Sequence, residues 1–262
     1  MTLPLNQRIA AGEILFGNVL NMTSPTMVEI CCGAGADFLF LDFEHGLRDF
    51  SDIANAIVTA DLCGTPALVR VGERSPNLVA RMLDAGAAGL IFPHVSSAAE
   101  AAELVSWCRY KPQGQRGSGL ARGFLRHSGS EFDRRTQANR DVACLMIVED
   151  PEGMANVREI AAVEGVTGIG IGPGDLSMAL GAASWDDERV TAALDAMTKA
   201  VRQQPGCAVM RLALDAAAVS DLVQKGVNMV LATHDAHLIK DMYHRLFKEF
   251  RDAAAISPAM RA

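Results

Sequence analysis

Eight short runs of aliphatic and β-branched residues recur along the chain, each separated from the next by a longer segment of helical period. They are ILFGNVL near residue 14, FLFLDF at 38, ALVRV at 67, GLIFPHV at 89, CLMIVED at 144, GIGIG at 168, CAVMRLA at 207 and NMVLAT at 228. Uninterrupted apolar runs of this length are strands buried on both faces, and a parallel sheet covered by helices is the arrangement that buries both. Eight such strand–helix repeats in 262 residues predict a TIM (β/α)8 barrel. An open doubly wound sheet is the rival, but no GxGxxG follows an early strand as a dinucleotide fold requires. Among the intervening segments, SPNLVARMLDAG supplies Ser75 as N-cap, Pro76 at the first helical position and Gly86 as the stop. The last one, DAHLIKDMYHRLFKEFRDAAA, reads as one long amphipathic helix with Leu238, Ile239, Met242, Leu246 and Phe250 on its apolar stripe. A polar, proline-containing tail follows it. No linker or repeat divides residues 1–262, which read as a single barrel domain.

Composition narrows the function. A net charge of −7 offers no basic footprint for nucleic acid and no attraction to an anionic membrane. No apolar run approaches the roughly 20 residues of a membrane-spanning helix. The start, MTLPLNQRIAAGEILFG, lacks the charged end and unbroken apolar stretch of a secretory signal. Six cysteines (Cys31, Cys32, Cys63, Cys108, Cys144 and Cys207) form no CxxC pair, and most lie in apolar stretches as they would in a reducing compartment. A cytoplasmic protein is expected.

In a TIM barrel the chemistry sits where strands end, at the C-terminal rim. The apolar runs close on Asp42, Glu44 and His45, on Arg70, on His94, on Glu149 and Asp150, on Asp175, and on His234 and Asp235. Glu149 and Asp175 can offer two hard oxygen ligands from adjacent strands, which suits Mg²⁺ or Mn²⁺ with positions left for water and substrate. The plainer alternative makes Asp175 a helix cap and places Asp150 and Glu152 in a first helical turn. No HxxxH or Cys/His pair has zinc-ligand spacing. His45 follows Asp42 and Glu44 and can serve as a general base held by a nearby carboxylate. Arg70 closes a buried strand, so it either grips a substrate carboxylate in bidentate fashion or forms an internal salt bridge. The segment from Arg109 to His127 carries five Arg or Lys and no acid; it either guides an anion or is a solvated loop.

These residues resemble the HpcH/HpaI class II pyruvate aldolases. The resemblance runs from about Gly17 to Ile239 and is carried, in order, by FLFLDFEHG, LVR, RMLDAGAAGLIFPHV, RYKPQGQRGSG, IVE and VEGVTGIGIGPGDLS. It implies a TIM barrel whose divalent metal, Mg²⁺ or Mn²⁺ with Co²⁺ also possible, is held by Glu149 and Asp175. By the same resemblance His45 is the catalytic histidine, Asp84 the carboxylate that pairs with it, and Arg70 the contact to the pyruvate oxygen. The backbone around Gly172 and Pro173 would receive the pyruvate carboxylate, and Leu212 would shape the aldehyde side. The family also implies a homo-oligomer, a hexamer, that exchanges the C-terminal helix between subunits. The chain departs from the family pattern in four places: Ile147 replaces a common Gln, His94 a common Met, His234 a small or apolar residue, and in the shifted segment after Gly119 the common Trp is replaced around Phe124 to His127.

The resemblance therefore implies a metal-dependent lyase cleaving a 4-hydroxy-2-oxo acid, such as a 2-keto-3-deoxy sugar acid or a hydroxy-oxo-diacid, into pyruvate and an aldehyde. None of the eight strand runs contains a lysine, which disfavours a Schiff-base route. One alternative uses the same enolate site to decarboxylate an oxaloacetate-like acid or cleave a CoA thioester. Another is a non-catalytic barrel that binds sugar acids. His94 and His234 are expected to tune the acceptor pocket.

Overall fold

A computed structural model describes residues 3–46 and 48–256, the side chains of 255 and 256 excepted. The polar tail expected after the last helix lies outside the described residues. Eight parallel strands close in sequential order, β1 to β8, with β8 returning to pair with β1. They are β1 (Leu15–Leu20), β2 (Phe38–Phe43), β3 (Ala67–Val71), β4 (Gly89–Phe92), β5 (Ala143–Val148), β6 (Gly168–Ile171), β7 (Ala208–Leu212) and β8 (Met229–His234). The helices are α1 (Leu5–Ala10), α2 (Pro25–Gly33), α3 (Phe50–Leu62), α4 (Pro76–Ala85), α5 (Ala98–Cys108) and α6 (Arg122–Leu125). They continue as α7 (Glu131–Asp141), α8 (Pro151–Ala161), α9 (Pro173–Ala179), α10 (Glu188–Val201), α11 (Ala216–Lys225) and α12 (Asp235–Ile256). The TIM barrel expected from the alternation is the observed fold. Among the described residues no helix is long and apolar enough to cross a membrane, and all six cysteines are free thiols, four of them buried.

Local chemistry explains where the elements begin and end. Ser75 caps α4 by accepting from the Leu78 N–H, Pro76 opens the helix, and Gly86 stops it at φ 111°, a backbone conformation that costs glycine nothing. Asp150 caps α8 in the same way, accepting from the Gly153 N–H at 2.7 Å, so this acid of the rim serves the scaffold. The fourth apolar run ends sooner than expected, at Phe92, because Pro93 lacks the N–H that a ladder needs.

Two cores result. One lies between the sheet and its helices; the other fills the barrel with Leu15, Phe38, Leu68, Ile91, Leu145 and Met229 among others. Space inside is shared unevenly: a Cβ on Gly17 would sit 2.7 Å from the Phe38 ring, so glycine on β1 is what admits that phenylalanine. The short helix α1 closes the N-terminal end by burying Leu5 and Ile9 against this inner core. Everything that closes this end leaves the C-terminal end as the open one.

Candidate active site

Alternation along the strands decides what reaches the mouth. Phe40 on β2, Leu68 on β3, Ile147 on β5, Gly170 on β6 and Met210 on β7 point inward, so the next inward positions are Asp42, Arg70, Glu149, Gly172 and Leu212. The top layer of the barrel is therefore polar over an apolar floor. It opens on a cavity of about 210 Å³ lined by His45, Arg70, Glu149, Gly172, Pro173, Asp175, Trp185, Leu212 and His234, among others. That volume suits a small polar substrate.

Arg70 anchors one side. Its Nε and Nη2 donate to the two oxygens of Asp42 at 3.0 and 2.8 Å, and its Nη1 reaches Glu44 at 3.1 Å. Burial of Asp42 opposes its ionisation, but the Arg70 guanidinium and the N–H groups of Glu44 and His45 outweigh burial and hold the carboxyl below its ordinary value. Of the two readings of Arg70, the internal salt bridge is the one observed. Since a guanidinium has five N–H donors, two remain for the cavity that the side chain lines.

The other side carries the carboxylate pair. Glu149 is 5% exposed and shares its surroundings with Asp175, which stands in the first turn of α9. Gly172, not Asp175, is the N-cap of α9, and no side chain caps that helix, so the capping alternative for Asp175 fails. Burial pushes the Glu149 carboxyl up to about 7; His94 opposes that rise and the neighbouring Asp175 adds to it. Two carboxyl groups set side by side, one of them buried, are costly without a cation between them. Among the described residues no group of three or more His, Cys, Asp or Glu converges on a metal position. The protein thus offers two oxygen donors, the set that a hard divalent ion uses when water and substrate complete its sphere.

His94 does something that its position in the sequence does not announce. Its Nδ1 lies 2.7 Å and its backbone N–H 3.0 Å from the same Glu149 oxygen, while Nε2 lies 3.1 Å from Glu44. A φ of 56°, the only positive value outside glycine among the described residues, brings backbone and ring onto one carboxylate oxygen. His94 is absent from the cavity lining, so the expectation that it tunes the acceptor pocket is not met. Instead it links the Arg70 network to the carboxylate pair.

His45 stands at the rim with its side chain 66% exposed and Nε2 at 3.6 Å from Glu44. Its expected partner is not beside it. Asp84 is the penultimate residue of α4, which runs from the end of β3 back to the start of β4, so it lies at the opposite end of the barrel and pairs with Arg116 at 2.7 Å. The cationic segment Arg109–His127 lies at that end too. Arg122 and Arg126 contact Asp61, so much of its charge is spent on internal carboxylates rather than on a solvated loop or an anion path to the mouth.

The β8 side completes the site. A register shift opposite Asn18 and Val19 displaces the end of β8 and turns His234 inward, level with Val19. His234 Nδ1 is 2.7 Å from Asn21 Oδ1, and Asn21 Nδ2 donates to Asp42 at 3.2 Å. Asp235 is buried as scaffold, accepting the backbone N–H groups of Asn21, Met22 and Ala236. Asn21 and Trp185 were not singled out from the sequence. Asn21 directly follows the last residue of β1 and obeys the strand-end rule, whereas Trp185 enters from the loop after α9, where no periodicity marks it.

A closed parallel barrel with a carboxylate pair, a partly engaged guanidinium and histidines around a small mouth cavity is an enzyme architecture of the TIM-barrel class. Residues 16–241 match the HpcH/HpaI aldolase/citrate lyase family, and the chain belongs to it. The hydroxypyruvate/pyruvate aldolase of Pseudomonas aeruginosa is 39% identical over 185 residues, 69% of each chain. The 2-keto-3-deoxy-L-rhamnonate aldolase of Escherichia coli O17:K52:H18 is 34% identical over 181 residues, 69% of this chain and 68% of its own. Among solved structures, an HpcH/HpaI aldolase/citrate lyase family protein from Burkholderia cenocepacia J2315 superimposes with a TM-score of 0.86 at 32% identity, covering 94% of this chain and 98% of its own. The chain is accordingly an aldolase, a carbon–carbon lyase.

Proposed function

We propose that the chain, as one barrel domain, reversibly cleaves a 4-hydroxy-2-oxo acid into pyruvate and an aldehyde with the help of a divalent cation, Mg²⁺ or Mn²⁺. The observation that carries this reading is the juxtaposition of Glu149 and Asp175 in the cavity that Arg70 also lines. The names of the Pseudomonas aeruginosa and Escherichia coli relatives support it. Glu149 and Asp175 would hold the cation, which when bound supplies a Lewis acid for the charge that develops on the 2-oxo oxygen. The two free N–H groups of Arg70 would donate to that same oxygen and strengthen as negative charge grows there. The backbone at Gly172 and Pro173, at the opening turn of α9, would seat the pyruvate carboxylate, and Leu212 would bound the aldehyde. In cleavage the proton leaves the 4-hydroxyl, the bond between carbons 3 and 4 breaks, and carbon 3 gains a proton; His45 is the group we assign to proton transfer.

Exchange of the methyl protons of pyruvate in heavy water tests the reading without requiring the aldehyde to be known. Exchange that depends on added Mg²⁺ or Mn²⁺ is expected, and its absence with every divalent ion would remove the proposal. Carbon dioxide release from oxaloacetate, measured in parallel, separates a decarboxylase.

We also propose a homo-oligomer built through α12. Beyond Ile239 the helix is exposed through Ala254, so its stripe does not cover its own barrel: Leu238, Met242, Leu246 and Phe250 are 36–59% exposed. An apolar face of this length without a partner favours a second copy. Light scattering should give a mass above that of one chain, and truncation at Asp241 should lower it. A full-length monomer at micromolar concentration would refute assembly through this helix.

A further inference from the structure

On the side of the cavity away from Glu149 and Asp175, the surroundings of His234 fix both the direction and the tautomer of its ring. The register shift near the end of β8 is what turns the side chain inward; continued alternation from Leu231 would have placed Thr233 there instead. The amide of Asn21 is oriented because its Nδ2 donates to the Asp42 carboxylate, leaving Oδ1 as an acceptor. His234 Nδ1 at 2.7 Å from that oxygen must therefore carry a hydrogen. In a neutral ring the lone pair is then on Nε2, which has no hydrogen-bond partner among the described residues. The charged and titratable groups that face the ring are Asp42, Arg70, His237 and Asp235. Burial, Arg70 and His237 disfavour the imidazolium more than Asp42 and Asp235 favour it, so the ring is held below its ordinary value.

We infer that His234 is the specificity-determining residue of the acceptor side, its Nε2 accepting a hydrogen bond from a hydroxyl group on the aldehyde. Leu212 and Leu231 line the same cavity and offer no polar group, and the Arg211 guanidinium beside them is spent on Asp195 and Thr198, so this lone pair is the side-chain acceptor on the β7–β8 side. A hydroxyaldehyde satisfies it. An alkyl aldehyde of the same size would displace water from the lone pair and leave it unpaired. An aldehyde oxygen, itself an acceptor, cannot substitute. Asn21 acts through His234 and is a positioning residue: the chain from Arg70 through Asp42 and Asn21 ties the tautomer of a specificity group to the guanidinium that lines the same cavity.

The inference rests on the aldolase reading, and glycolaldehyde against propanal is its test because the two differ by hydroxyl for methyl. The wild type should prefer glycolaldehyde in kcat/KM for addition to pyruvate by about 10–100-fold, the range for a buried polar group satisfied or left unpaired. His234→Val should erase most of that ratio. In Asn21→Ala the ring remains but its tautomer is freed, so the ratio should shrink, and nitrogen NMR of labelled histidine should show Nε2 changing from unprotonated to mixed. Equal losses on both aldehydes in His234→Val, or an unchanged ratio, overturn the inference, as does a protonated Nε2 in the wild type. A change confined to the choice between pyruvate and hydroxypyruvate as donor would also overturn it by moving the residue to the other side. A wild type that exchanges no pyruvate protons fails the aldolase reading instead; one that exchanges them without preferring glycolaldehyde fails this inference alone.

Discussion

Replacing Glu149 by Gln is expected to remove divalent-cation binding and to lower pyruvate proton exchange by on the order of 10³-fold or more, since the cation supplies several kcal/mol of charge stabilisation. The substitution keeps the shape of the side chain and removes its charge, so folding is not the victim. The carboxyl that is lost has its proton affinity raised to about 7 by burial, with His94 opposing and Asp175 reinforcing the rise. A sign follows. Raised above its ordinary 4.5, this group binds its proton more tightly in the folded chain than in the unfolded one, so the stability of the cation-free protein falls as pH rises from about 4.5 to about 7. A divalent ion competes with that proton, so its affinity should strengthen as pH rises towards 7 and level off above it, with proton release below that point. Calorimetric titration with Mn²⁺ across that range reads both effects. In Glu149→Gln the proton release should vanish and the cation-free protein should lose its pH-dependent weakening in the same window. Wild-type Mn²⁺ affinity in Glu149→Gln, or full exchange after exhaustive chelation, would remove the cation from the mechanism.

The sequence reveals the barrel because parallel strands buried on both faces must be continuously apolar, and eight such runs leave little else for the chain to be. It reveals much of the mouth for the same reason: a charged residue that closes an apolar strand has only the rim to occupy. Arg70 and Glu149 follow from that rule, and so does Asn21 at the end of β1. Other features depend on backbone conformation rather than on residue type. Nothing in GLIFPHV says that His94 takes a positive φ and folds its ring back onto Glu149, because that conformation is set by the packing of the loop after Pro93. The helix α1 is too short for a periodic signal, and its role as plug depends on Leu5 and Ile9 finding the open barrel end. Asp84 is the instructive case. The resemblance names it as the partner of His45, yet a residue near the end of the helix after β3 must lie at the start of β4, the far end of the same barrel.

Substitution of His45 by Ala should lower pyruvate exchange and aldol cleavage by about 10²–10⁴-fold, the usual contribution of a positioned acid or base, while Mn²⁺ binding persists. The case rests on position. His45 is exposed at the rim and lines the cavity on the side of Arg70 and Glu44, whereas His94 is taken up by Glu149 and Glu44, and His234, which also lines the cavity, has its Nδ1 fixed by Asn21 and its Nε2 assigned to the aldehyde. Within the chain the carboxylate beside the His45 ring is Glu44 at 3.6 Å, and Asp84 is beyond reach. If Asp84 orients His45 as the resemblance implies, it must come from a second copy, which ties the proton chemistry to the oligomer. Mixing decides this. His45→Ala and Asp84→Asn chains, each with low activity alone, should recover activity when refolded together, because about one site in four would join an intact His45 to an intact Asp84 across the interface. No recovery, together with a Glu44→Gln variant as impaired as Asp84→Asn, would make Glu44 the orienting group and confine proton transfer to a single chain. A His45→Ala protein that exchanges pyruvate at the wild-type rate would instead move the base elsewhere on the rim, and the inward-turned His234 would then be the first residue to substitute.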